Sequence, residues 1–206
     1  MTLKRVFLLS PARCDGRRAT TLLSTRAEFP LAVQLNQREG APLGDVFAFL
    51  SGLYFRGKLA YAQAFATANT AAQPVRIITT NRGLLSPEHR VRPPDLEAFA
   101  SVDLSAGWGA AAFTEPLLRD ATGLAREIES SASVVLLGSI ATDKYVGPLT
   151  SIFGERLLFP RDFVGRGDMS RGGLMLRCVN EGRELEYVPV QNAVRHGKRP
   201  PKLSRP

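Results

Sequence analysis

The sequence predicts an α/β protein, a three-layer sandwich with a mainly parallel central sheet and a C-terminal hairpin. Three observations predict it. Short, continuous apolar runs of strand length end at turn residues. Stretches with apolar residues at three- and four-residue steps lie between them. The two kinds of segment alternate along most of the 206 residues.

The first run, residues 5–10 (Arg-Val-Phe-Leu-Leu-Ser), is stopped by Pro11 and suits a strand buried on both faces. Residues 43–68 follow with Val46, Phe49, Leu50, Leu53, Leu59 and Phe65 at helical spacing, and Gly52 and Gly57 predict a kink or two helices. Residues 75–80, rich in β-branched side chains, form the second strand and end at Asn81-Arg82-Gly83. Residues 86–110 are irregular, with Pro87, Pro93, Pro94, Gly107, Gly109 and Trp108, and read as a lid or a surface excursion. A helix over 115–130 places Leu117, Leu118, Ala121, Leu124, Ala125 and Ile128 on one face, with Pro116 in its first turn. Ser133–Leu137 is the third strand, ended by Gly138-Ser139, and Asp143–Phe153 a shorter helix. Strands at 156–159, 173–179 and 184–190 complete the chain, the last two joined through Asn180-Glu181-Gly182-Arg183 as a hairpin.

Hydrophobic residues are 44% and charged residues 22% of the chain, which excludes wholesale disorder, a collagen-like repeat and a disulfide-stapled miniprotein. The length suits one domain over residues 1–194. No apolar run approaches the roughly 20 residues that cross a bilayer, and the stretch before Pro11 is too short for a signal-peptide core. A cytoplasmic protein without a membrane partner is expected. Cys14 and Cys178 lie far apart and outside any C-x-x-C or zinc spacing, so neither a metal site nor a disulfide is expected. The net charge is +8, and all but +3 of it sits in residues 195–206, which hold Arg195, Lys198, Arg199, Lys202 and Arg205 and no acidic residue. This basic, Pro-rich tail is expected to be disordered, serving as a solubilising end or as an arm for phosphate backbones.

In an open parallel sheet the loops at the carboxyl ends of the strands share one edge, where ligands bind. That rule gathers four segments, residues 10–18, 81–87, 138–145 and 163–173, all rich in Arg, Gly, Ser and Asp. Glycine admits backbone N–H groups to an anion, and arginine offers a planar fork of donors. Each loop alone also reads as ordinary turn chemistry; the density of 166–173 favours function. Carboxylates and hydroxyls for catalysis are Asp168, Asp143, Ser139 and Ser170, with Asp15 behind them. Arg13, Arg17, Asn81, Arg82, Gly138, Arg166 and Arg171 are the nominated anion or nucleic-acid contacts. No phosphate loop or dinucleotide fingerprint is present, and no cofactor is called for. His89, in a proline-flanked turn, reads as a surface residue, and Cys14 as a small packed one.

The opening Leu8-Leu9-Ser10-Pro11-Ala12-Arg13 resembles the start of the bacterial peroxide-stress YaaA proteins, a strand and a Ser-Pro-Ala-Lys turn. Residues 77–87 (Ile-Ile-Thr-Thr-Asn-Arg-Gly-Leu-Leu-Ser-Pro) are similar to that family's second signature, in which a strand precedes Tyr-Gly-Leu-Leu-x-Pro and which a related group of uncharacterised bacterial proteins shares. Arg82 stands where the family has tyrosine, and Arg13 where it has lysine. Residues 134–141 (Val-Val-Leu-Leu-Gly-Ser-Ile-Ala) resemble the late strand and Leu-Gly-x-x-Ala loop of uracil-DNA-glycosylase-like folds. The water-activating and His-Pro-Ser signatures of those enzymes are missing; Asp168-Met169-Ser170-Arg171 holds the place of the second without its histidine. Together the resemblances cover about a third of the chain and imply a nucleic-acid partner, DNA rather than RNA, or a nucleotide.

Two functions compete. One is an enzyme of glycosidase type acting on a nucleobase, which needs a carboxylate to position water and donors to stabilise the departing base. The other is a non-catalytic DNA-binding stress or defence protein whose arginines read phosphates. A scaffold with purely structural Gly-Arg loops ranks third.

Overall fold

The computed structural model describes residues 4–67, 73–102, 111–141 and 143–201. In chain order the elements are β1 (Arg5–Leu9), α1 (Arg17–Leu22), α2 (Pro30–Asn36), β2 (Ala41–Pro42), α3 (Leu43–Ser51), α4 (Leu53–Phe65), β3 (Val75–Ile78), β4 (Leu84–Leu85), β5 (Arg90–Val91), α5 (Pro93–Ala100), α6 (Ala111–Glu127), β6 (Ser133–Leu137), α7 (Asp143–Phe153), β7 (Leu157–Pro160), α8 (Asp168–Glu181) and β8 (Tyr187–Pro189). Six strands form one sheet in the order β4-β3-β1-β6-β7-β8, and β2 pairs with β5 apart from it. The inner four strands are parallel, while β4 and β8 close the two edges antiparallel. The fold is therefore the expected α/β sandwich, with helices flanking a mainly parallel sheet.

Burial explains why the apolar runs become central strands. Val6, Phe7, Leu8 and Leu9 of β1 and Val134 to Leu137 of β6 are all fully buried, so successive side chains on both faces meet a covering layer. β1 pairs β3 on one side and β6 on the other, in register from Arg5–Ser133 to Leu9–Leu137. Right-handed crossovers then put the β1-to-β3 connection on one face and the β6-to-β7 connection on the other.

The long helical stretch divides at Gly52, whose φ of 61° and ψ of −130° suit glycine. Arg18 donates to the Phe49 carbonyl at 3.1 Å and so satisfies the exposed end of α3. Gly57 does not kink the chain; it lies inside α4 and lets another helix approach. The helix expected over 115–130 is already formed at Ala111, so Pro116 stands in its second turn. Residues 86–102 are more regular than expected and include β5 and α5, the latter started by Pro93 and Pro94, with the Asp95 carboxylate accepting from the Arg92 N–H at 2.7 Å. Gly107, Trp108 and Gly109 lie outside the described residues.

The C-terminal hairpin is corrected. Residues 173–179 belong to α8, and Gly182 is that helix's left-handed C-cap (φ 60°), with Gly182 N–H bonded to the Val179 carbonyl and Arg183 N–H to that of Cys178. Only β8, antiparallel to β7, remains of the pair. After it, residues 194–198 run beside α7 and the turn before α8: Arg195 bonds Asp143 at 2.6 Å, and a Cβ on Gly165 would strike the Lys198 carbonyl. Among the described residues no helix is long and apolar enough to cross a membrane.

Candidate functional site

The chain leaves β1 and β6, which are neighbours, toward opposite faces, so their carboxyl ends form the switch point where open α/β sheets bind ligands. Gly138 lets the two loops meet there, since a Cβ on it would stand 2.9 Å from the Ser10 Cβ. Beneath Ser10 lies Lys58 of α4, whose Nζ donates to the Ser10 carbonyl at 2.6 Å and lies 3.0 Å from Ser10 Oγ. The amine sits 4.5 Å from the ring centre of Tyr54 and 4.8 Å from that of Phe55. Lys58 is 1% exposed and makes no ion pair among the described residues. Burial pulls its amine down to about 7, against the charge of Asp168, which raises it, and with that of Arg171.

A close helix crossing holds this arrangement. A Cβ on Gly57 would meet the Gly172 carbonyl at 2.7 Å, and one on Gly172 the Leu53 carbonyl at 2.6 Å, so α4 and α8 touch backbone to backbone. The crossing brings the start of α8 beside Tyr54 and Lys58. Arg171 stacks its guanidinium 5.5 Å from the Phe163 ring centre, donates Nε to the Phe163 carbonyl at 3.1 Å and stands 3.9 Å from Asp168. Burial pushes the Tyr54 hydroxyl up to about 12, while the charge and the nearby donors of Arg171 oppose, and among the described residues it meets no partner at full hydrogen-bond geometry.

Above the switch point opens a cavity of about 550 Å³ lined by residues 11–15, Thr80, residues 99–102, Lys144 and Tyr145. Arg13 grips Asp15 through Nε (3.0 Å) and a terminal nitrogen (2.9 Å), and this holds the Asp15 carboxyl below the usual range. Burial pushes the Cys14 thiol up to about 12, with the Asp15 charge adding to it, so Cys14 is a packed thiol as expected.

The four loops thus divide. Ser10, Arg13, Asp15 and Gly138 stand in the loops that end β1 and β6, and Asp168 and Arg171 act on Lys58, which bonds Ser10. Arg166 donates to the Asp162 carbonyl and to Ser170 Oγ (3.3 Å), which organises the turn into α8. Ser139 Oγ accepts from the Ala141 N–H, and Asp143 is held by Arg195. Asn81 donates to the Ala98 carbonyl, while Arg82 pairs with Asp95 and lies over Phe99, so both fasten α5. Arg17 lines a separate shallow concavity with Thr20, Ser24 and Phe29. Among the described residues no cluster of His, Cys, Asp or Glu could hold a metal.

The sequence reading missed Lys58 and Tyr54. The signal was their spacing with Tyr61: residues 54, 58 and 61 share one face of α4, and both tyrosines are buried. The missed lysine leads to a pH prediction. Its proton is bound less tightly folded than unfolded, so between pH 7 and its ordinary value near 10.5 the unfolded chain carries more protons and stability rises with pH. The stability of wild type relative to Lys58→Met is expected to improve from pH 7 to pH 9 in urea titrations. A constant difference would contradict the buried amine. Comparisons of the chain with protein families, with curated proteins and with solved structures find no match.

Proposed function

We propose that the chain is an enzyme directed at a nucleobase or nucleotide, acting by glycosidase-type hydrolysis in the cavity above β1. The observation that supports this most is a carboxylate, Asp15, kept ionised by Arg13 on the wall of a cavity of about 550 Å³ that also carries Phe99 and Tyr145. Cavities of roughly 300–1,000 Å³ suit small ligands. In this reading Phe99 and Tyr145 flank a planar base, Arg13 and Lys144 meet a phosphate at the mouth, and Asp15 positions water and steadies the oxocarbenium charge as the N-glycosidic bond breaks. Asp15 takes the role first given to Asp168 and Asp143, because it lines the cavity. A base inside DNA must leave the stack to reach it.

The test is incubation with nucleosides and with DNA carrying deoxyuridine and other modified bases, followed by detection of free base and abasic sites. Base release is expected, and Asp15→Asn is expected to lower it about 100-fold or more. No release across the panel would overturn the reading. The exposed Arg13, Arg17, Lys198 and Arg199 favour a second one, non-catalytic DNA binding. Affinity would then fall steeply with salt, and removing residues 195–206 would flatten the slope.

A further inference from the structure

We infer that Ser10 and Lys58 form a nucleophile–base pair, and that this chain carries an acyl-transfer activity toward small esters or amides bearing an anionic group. A serine attacks well only when a base within hydrogen-bond reach accepts its proton, and Lys58 Nζ stands 3.0 Å from Ser10 Oγ. The second bond of the amine, 2.6 Å to the Ser10 carbonyl, fixes it in that position. An amine with almost no solvent exposure and no carboxylate bonded to it is costly to keep charged, so the pair rests naturally with the lysine as proton acceptor. Burial that draws this amine down to about 7 is consistent with a base for neutral pH. The charges facing it are Asp168 and Arg171 from α8, and on its own helix the Tyr54 ring.

Position supports the chemistry. Ser10 is the first residue past β1, it retains 7% exposure where Lys58 has 1%, and Pro11 directly after it begins the cavity wall. The Tyr54 hydroxyl, buried beside Arg171, is a further donor next to the pair. Arg13 and Lys144 line the cavity whose wall starts at the next residue, Pro11, and supply the preference for an anionic substrate.

In the step, Ser10 Oγ bonds to the substrate carbonyl carbon as its proton passes to neutral Lys58, and the carbonyl electron pair moves onto oxygen. When that oxygen re-forms the carbonyl, the bond to the leaving group breaks; the leaving group keeps the electron pair and takes the proton from Lys58. Water then attacks the acyl group with Lys58 again accepting a proton. Ser10 leaves, is reprotonated, and a carboxylic acid is released. No oxidant, metal or further reactant is needed.

The inference does not rest on the N-glycosidic reading, because the two concern different bonds and different reacting residues, Asp15 in one and Ser10 with Lys58 in the other, although both use Arg13 and Lys144 to meet an anionic group. The test uses the full chain and a fluorophosphonate, whose phosphorus accepts a nucleophilic serine oxygen with loss of fluoride. Mass spectrometry is expected to find one phosphonyl adduct, on the peptide containing Ser10, with a labelling rate that rises with pH through 7. Ser10→Ala is expected to remove the adduct, and Lys58→Met to slow labelling at least 100-fold with an unchanged circular dichroism spectrum. Should Lys58→Met fail to fold, Lys58→Arg keeps a donor but accepts no proton, and the same slowing is expected. Wild-type protein left unlabelled at Ser10, or either lysine variant labelled at the wild-type rate, would overturn the pair. Base release with an unlabelled Ser10 would sink this inference alone, and labelling without base release would sink only the glycosidase reading.

Discussion

Gly172→Ala is expected to destabilise the protein by about 3 kcal/mol, the upper part of the range for forcing atoms into a filled interface. The added Cβ would stand 2.6 Å from the Leu53 carbonyl oxygen, 2.8 Å from its carbon and 2.9 Å from the Tyr54 Cα. All three are backbone atoms, so no side chain can swing aside, and α4 and α8 must separate. Alanine's better helix propensity, worth about 1 kcal/mol, only partly offsets this. Gly123 supplies the control: it also lies within a helix, but a Cβ there meets nothing within 4 Å. Gly123→Ala is therefore expected to stabilise by about 0.5–1 kcal/mol. Urea unfolding of the two variants beside wild type gives the comparison; equal and small shifts would mean that the helices do not touch as described. Separation at Gly172 would also carry Arg171 and Asp168 away from Tyr54 and Lys58, so this variant is expected to lose function beyond its loss of stability.

Phe7→Ala is expected to cost about 4 kcal/mol. Phe7 is fully buried in β1 and meets Tyr61 edge-on at 5.9 Å and Tyr187 at 6.4 Å between ring centres. Those tyrosines share a hydrogen bond of 2.6 Å, Tyr61 accepts from the Leu185 N–H, and Tyr187 bonds Glu184, which also pairs with Arg5. Truncation thus leaves a cavity and also loosens the network that seats β8 on the sheet. Phe7→Leu, which keeps most of the volume, is expected to cost below about 1.5 kcal/mol. Thermal unfolding of both variants checks the difference, and similar losses for the two would show that volume is not what Phe7 contributes.

The strands at β1, β3, β6 and β7 were legible because parallel strands buried on both faces need mostly apolar runs of strand length. Residues 173–179 were misread for the same reason. Leu174, Met175, Cys178 and the half-buried Val179 make an apolar run, and its helical period is obscured because α8 lies against α4 along much of its length. Gly182 then misled further, since a left-handed glycine ends a helix as well as it turns a hairpin. The site was legible only where loops end strands. Ser10, Arg13, Asp15 and Gly138 follow from the switch-point rule, whereas Lys58 sits inside a helix where lysine ordinarily faces water. Its burial depends on the Gly57–Gly172 approach, a pairing of residues more than a hundred positions apart that local pattern does not reveal.

The two ends of the sheet have a consequence for how the molecule behaves among copies of itself. β4 is two residues long and β8 three, and β8 finishes at Pro189, which has no N–H to offer. An outside strand would find almost no ladder to extend at either margin. Concentrated solutions should accordingly resist cross-β association while the fold is intact, leaving partially unfolded chains, with β1 and β6 bared, as the species that aggregates.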